Sequence, residues 1–175
     1  MNWRPRRSLA LLTLALGAVA AGLVRGEVYQ EPEAFVAEVF GSKPPAPKVL
    51  WLTQDSQTQA AAILGHPPGQ LRQRYWSDSH RSVWILEEIG KEELITAGFI
   101  VVDGRIDHVR VLVYRESRGQ EVRYPSFLKQ FKEAKLAPGE RLDREIDGIA
   151  GATLSVAAME RMARLALFFD RMSRK

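Results

Sequence analysis

The chain of 175 residues is long enough for one domain with a full core. It has no cysteine, which excludes disulfides, thiolate metal sites, a cysteine nucleophile and covalently attached c-type haem. The net charge of +4 suggests nucleic acid, but Arg4, Arg6, Arg7 and Arg25, in a segment without acids, supply the whole excess, so the remainder has no basic footprint for a phosphate backbone.

Residues 1–26 open with three arginines, Arg4, Arg6 and Arg7, and continue in an uncharged apolar run from Ser8 to Val24. This is the layout of a signal peptide or membrane anchor, with Ala18-Val19-Ala20 as a candidate cleavage site. Arginines ahead of the run predict a cytoplasmic N-terminus and an exported remainder, periplasmic or anchored to the cytoplasmic membrane facing outward. Arg6-Arg7 also fits a twin-arginine signal. Cleavage and retention both remain open.

Residues 27–79 form the N-terminal part of the domain. A short helix is predicted over 31–40, with Phe35, Val39 and Phe40 on its apolar side. Three prolines within 41–48 impose an extended linker. A strand follows over 49–53, then a helix over 56–65 ended by Gly65, and a turn at His66-Pro67-Pro68-Gly69.

Strands dominate next. Residues 71–76 and 82–89 are rich in aromatic and β-branched types. Residues 94–117 read as a hairpin around Asp103-Gly104, the dipeptide a type I′ turn favours. In its second arm Val109, Val111 and Val113 are expected on one face, with Arg110, Leu112 and Tyr114 on the other. A helix is predicted over 124–136, stacking Phe127 on Phe131, followed by a loop. The last segment is a long amphipathic helix: Ala158, Met159, Met162, Ala163, Ala166 and Phe169 recur at helical spacing, with Arg161, Arg164 and Arg171 toward solvent. The fold class is α+β, a two-layer domain with an antiparallel sheet of about four to six strands packed with helices.

Ahead of that helix stands Asp147-Gly-Ile-Ala-Gly-Ala-Thr-Leu-Ser155. Asp147-Gly148 makes a turn, Ile149 anchors it, and Gly151-Ala152 leaves the backbone open to a bulky group. Thr153 stands at the helix start, where unpaired N–H groups favour an anion, above all phosphate. The residues alone also allow a plainer reading, in which Thr153 or Ser155 is only a helix cap on an exported scaffold module without flavin.

The same stretch resembles the signature of the FMN-binding domain family, which includes flavin subunits of the sodium-pumping NADH:quinone reductase and of Rnf-type complexes. Asp147, Gly151, Ala152, Thr153 and Ser155 match; Ala150 stands where the family more often has serine or threonine. Upstream, Glu116, Ser117 and Gly119 resemble the family's Glu-Ser/Thr segment, with Arg118 where some members have proline. The likeness covers about 80–170 and marks residues 80–175 as the FMN-binding core. It implies FMN held covalently on Thr153 through a phosphoester, installed by a flavin transferase from FAD with magnesium. It further implies an electron carrier, rather than a stand-alone enzyme, that works with a membrane redox partner. The resemblance also places Glu116 and Ser117 beside the flavin. The chemistry would then reside in the cofactor, which the protein binds and tunes.

Other residues carry less. Trp51, Trp76 and Trp84 read as packing residues more readily than as flavin stackers. His66, His80 and His108 lack ligand spacing, and His66 reads as a loop residue. Glu87-Glu88 and Glu92-Glu93 are adjacent, so they face opposite ways in a strand and read as solvated charge. Lys91 and Arg115 are candidate partners for flavin N1 or the phosphate. No Gly-rich dinucleotide fingerprint is present, which argues against NAD(P)H binding within the chain.

Overall fold

The computed structural model describes residues 26–41 and 43–175. The expected signal or anchor lies almost wholly outside them. No helix among the described residues is long and apolar enough to cross a membrane.

After a two-residue strand β1 (Glu27–Val28), Pro32 starts α1 (Pro32–Phe40) at a position where its missing N–H costs nothing. The proline-rich linker leads to β2 (Lys48–Trp51). Thr53 caps α2 (Gln54–Leu64) by accepting from Ser56 N–H, and Gly65 ends it in the left-handed conformation. Then come β3 (Arg72–Ser77), β4 (Arg81–Ile89), β5 (Leu94–Val102) and β6 (Arg105–Tyr114). Asp103 and Gly104, between the last two, both have positive φ, at 49° and 74°, as a type I′ turn requires. The six strands form one antiparallel sheet in the order β1-β6-β5-β4-β3-β2.

Residues predicted as one helix over 124–136 are instead a chain of short turns. A 3-10 turn (Gln120–Arg123), α3 (Pro125–Leu128) and a second 3-10 turn (Lys129–Phe131) follow in succession. The chain then leaves helical geometry because Glu133 and Ala134 bond the backbone of Ile106 at the sheet edge. Phe127 and Phe131 still meet, edge to face, with centroids 5.5 Å apart. A small pair, β7 (Leu136–Ala137) and β8 (Arg141–Leu142), precedes α4 (Thr153–Ser173).

Both sheet faces are covered, so the domain has a third, smaller layer. The main core lies between one face and α4 with α2, and includes Trp84, Leu86, Ala97, Phe99, Met159, Met162 and Phe169. On the other face Phe35 and Val36 of α1 pack with Val83, Leu112 and Val113. Val36 is thus buried, while Val39 and Phe40, expected on the apolar side, are only partly covered. Gly98 makes the approach of α1 possible: a Cβ there would lie 2.4 Å from the Phe35 ring.

One irregularity positions the site. Thr96 pairs with Val113 but Ala97 with Val111, so Leu112 is an extra residue in β6, a bulge. Alternation therefore reverses at Leu112. Val113 joins the α1 face with Leu112, whereas Tyr114 joins Val109 and Val111 on the α4 face. This corrects the grouping expected from strict alternation.

Of the tryptophans, Trp84 is fully buried and stacks on Tyr75 with centroids 4.5 Å apart, while Trp51 is 65% exposed. Trp84 Nε1 donates to Ser82 Oγ (2.7 Å), which donates to Asp170 Oδ1 (2.6 Å) of α4. Asp170 in turn pairs with Arg174 at 2.9 Å. The buried polar atoms are thereby satisfied in series.

Candidate functional site

Three segments far apart in sequence converge at the start of α4. Gly151 has φ +80° and turns the chain into the helix, and Ala152 N–H closes that turn on Ile149 C=O at 2.9 Å. Ala152, buried, occupies the cap position without a side-chain cap bond. Thr153 is the first helical residue and is exposed, so the cap role that the residues alone allowed it is not the one it has. The first helical bond runs from Val156 N–H to Ala152 C=O at 2.9 Å. The N–H groups of Thr153, Leu154 and Ser155 precede it and carry the positive end of the α4 dipole.

Ser155 is buried, and its Oγ lies 3.1 Å from Tyr114 Oη. Tyr114 also donates to Arg118 C=O at 2.5 Å, curling the chain after β6 back under the helix start. Burial raises the Tyr114 phenol pKa, with Ser155 acting against it, so the group stays neutral. Gly119 completes the contact with φ +84°, and a Cβ there would meet Ser155 Oγ and Tyr114 Oη at 2.9 Å each.

Glu116 holds the third segment. Its Oε1 accepts from the backbone N–H of Lys91, Glu92 (2.7 Å) and Glu93 (3.0 Å), pinning the turn between β4 and β5. Partial burial would raise this carboxyl's pKa, but the three N–H donors outweigh it and hold the carboxyl below the ordinary glutamate value. Gly90 allows the approach, since a Cβ would lie 2.8 Å from Glu116 Oε1.

The result is a cleft of about 610 Å³ lined by Lys91, Glu92, Glu116, Ser117, Arg118 and the run Gly151–Ser155. Of the residues singled out in the sequence, Lys91, Glu116, Ser117, Gly151, Ala152, Thr153 and Ser155 come together here. Asp147 does not line the cleft: it is exposed, and its N–H donates to Gln130 Oε1 at 2.7 Å. Ala150 is also outside the lining. Arg115 faces away, donating to Thr96 Oγ1 (2.9 Å) and Leu94 C=O (3.2 Å).

Arg118, Leu154 and Tyr114 were not singled out by the sequence. Leu154 is 51% exposed beside Thr153 and gives the cleft an apolar surface. Its signal was faint: one apolar residue on the outward side of a helix start. A larger cavity, of about 690 Å³, lies beside β6, but it contains none of the signature residues.

A second polar cluster corrects the reading of Glu88, His66 and Arg161. Glu88 is 4% exposed, and its Oε1 accepts from Arg161 Nε (3.1 Å) and Nη2 (3.0 Å). His66 Nε2 lies 3.0 Å from the same oxygen. That hydrogen bond, helped by Pro67 C=O, raises the imidazole pKa above its ordinary value. The cluster fastens α2 and β4 to α4. Arg164 is likewise not free in solvent, since it donates to Glu140 C=O at 2.6 Å.

An α+β domain that gathers three segments at a helix N-terminus, with an exposed hydroxyl on a cleft, has the arrangement that suits a phosphate-bearing ligand. The sequence model of the FMN-binding domain family matches residues 90–167, a little under half of the chain. That stretch begins at Gly90, so it takes in the Glu116-pinned turn, the end of β6 and the start of α4, and over it the chain is similar to this family. The match supports an FMN-binding protein. No curated protein and no solved structure matches the chain.

Proposed function

We propose that this chain is an exported electron carrier that holds FMN covalently through a phosphoester on Thr153 Oγ1. The observation that carries the reading is that the Thr153 hydroxyl is exposed on the cleft and has no role in the fold.

Attachment forms one bond and breaks one. Thr153 Oγ1 joins the phosphorus of the FMN half of FAD, the pyrophosphate bond breaks, AMP leaves and the hydroxyl proton goes to solvent or base. A flavin transferase with magnesium supplies the activation; this chain supplies the acceptor. The N–H groups of Thr153, Leu154 and Ser155 suit the phosphate. Arg118 brings a positive charge to the cleft, while the charge of Lys91 is paired with Glu92 at 2.8 Å. Gly151 and Ala152 leave room, and Leu154 offers apolar contact to an aromatic ring. Asp147, exposed outside the cleft, is open to the transferase.

Once bound, the flavin supplies one- or two-electron chemistry, and the protein holds it in place between a membrane redox partner and the next acceptor. The arginine-led apolar N-terminus supports export, and a covalent bond suits a compartment where a dissociated cofactor is not readily replaced.

The test is intact mass and flavin fluorescence under denaturing conditions, on chain exported in a host that supplies the transferase. Wild type and Thr153→Ser should gain the mass of FMN less one water, mapped to residue 153. Thr153→Ala should gain nothing while unfolding within about 0.5 kcal/mol of wild type, because an exposed side chain without partners is removed. An unmodified wild type would overturn the covalent reading.

A further inference from the structure

The outer edge of β6 is paired only at its ends. Near the C-terminal end of the strand, Tyr114 and Val113 pair with β1, and Leu112 C=O accepts from Tyr29 and Gln30. At the other end, Ile106 exchanges bonds with Glu133 and Ala134. Between them, residues 107–111 have no backbone partner on that side among the described residues. Asp107 is a second bulge residue, since Ile100 pairs with His108 but Val101 with Ile106, so the regular part of the gap is about 13 Å long, room for a short strand.

A cavity flanks the gap on each side of the sheet. One, of about 690 Å³, lies against Val109 and Val111 and is bordered by Arg123, Lys129 and Lys132. The other, of about 530 Å³, has an apolar floor of Phe35, Val39 and Ile100. The two share Asp107, His108, Arg110 and Lys132, the residues at the gap itself. A strand laid along an edge sends its side chains alternately to the two faces, so this edge offers a place for both sets.

Charge selects the occupant. Arg110 is already satisfied by Glu38 (2.7 Å) and Gln30 (2.7 Å), and Lys132 lies 3.4 Å from Asp107. Arg123 and Lys129, however, pair with no carboxylate among the described residues. The Arg123 guanidinium instead lies over the rings of Tyr29 (4.5 Å) and Tyr124 (5.2 Å), held in place without a counter-ion. A second copy would bring this same cationic edge against itself. The chain's own residues 1–25, basic and without acids, are equally unsuited.

We propose that the 107–111 gap is a docking edge for an extended acidic polypeptide segment of a partner protein. The segment adds a strand to β6, points carboxylates at Arg123 and Lys129, and points apolar side chains at Phe35, Val39 and Ile100. The site is separate from the flavin cleft and does not depend on it.

The test is fluorescence anisotropy of the full chain with a fluorescein-labelled peptide of alternating glutamate and valine. Two control peptides carry lysine in place of glutamate, or N-methyl groups on alternate amides. The glutamate peptide should bind saturably. The lysine peptide should not bind, and N-methylation should abolish binding because the added strand then lacks its donors. Lys129→Glu, an exposed substitution, should weaken binding at least about fivefold, and bound peptide should slow amide exchange within 107–111. No binding, binding that survives N-methylation, or self-association of the chain through this edge would each overturn the proposal.

Discussion

Tyr114 and Ser155 are 41 residues apart in sequence and touch hydroxyl to hydroxyl at 3.1 Å. That contact joins the end of the sheet to the first turn of α4. It exists only because the extra residue at Leu112 reverses the alternation of β6 and turns Tyr114 inward.

Tyr114→Phe therefore removes the partner of the buried Ser155 Oγ and of Arg118 C=O, while keeping the ring. Unfolding in urea should show a loss of about 1–2 kcal/mol, the usual cost of a buried polar atom left unpaired. A loss below about 0.3 kcal/mol would mean that the contact contributes nothing to the fold.

Gly119 is the backbone counterpart of that contact. At φ +84°, with Ser155, Tyr114 and Ala152 around the place of a Cβ, Gly119→Ala meets both strain and collision. The expected cost is about 2–3 kcal/mol, read as a lower Tm. Gly104→Ala is the control: it is also at positive φ but has open space around it, so only the smaller conformational cost of about 1 kcal/mol should appear.

Glu116 predicts a pH dependence with a definite sign. Its carboxyl is held below its ordinary value in the folded chain, so the folded state binds the proton less readily than the unfolded chain. The stability it contributes is present above the ordinary glutamate value and is lost as pH falls through the folded one, in the window below about pH 4. Amide exchange at Lys91, Glu92 and Glu93 should quicken in that window. In Glu116→Gln the side chain still accepts but no longer titrates, so the same amides should show no such acid limb.

Glu88 carries a larger penalty than its surface charge count suggests. Glu88→Ala strands the Arg161 guanidinium, whose side chain is 24% exposed, without its carboxylate. Denaturant unfolding should register a loss of about 3 kcal/mol. His66→Ala, at a side chain 49% exposed, should cost less than about 1 kcal/mol. Equal losses would show that the imidazole, not the guanidinium, is the partner that matters.

Much of this was legible in the sequence, for identifiable reasons. Strands β4, β5 and β6 announce themselves through β-branched runs and through Asp103-Gly104, where local chemistry decides the turn. The long helix shows because its apolar stripe persists over many turns. Glu87 and Glu88 do face opposite ways, as adjacency in a strand requires. Which of them is buried, though, is set by Arg161, 73 residues away. The Leu112 bulge is set by pairing with β5 and has no local signature. The helix expected over 124–136 failed for a related reason: Glu133 and Ala134 exchange helical bonds for bonds to Ile106. The Gly151–Ser155 half of the cleft was readable because its residues are contiguous. In the other half, Lys91, Glu116 and Ser117 could be named as candidates, but that they meet Glu92 and Arg118 here, while Arg115 does not, depends on how two distant turns are folded toward the helix start.

The position of Thr153 one residue inside the helix, rather than at its cap, bears on the order of assembly. Since the fold makes no use of this hydroxyl, the polypeptide can complete its shape before any group is joined to it. Under the proposed attachment of FMN, the folded chain is a finished acceptor, and maturation a surface reaction on a native protein rather than a step of folding.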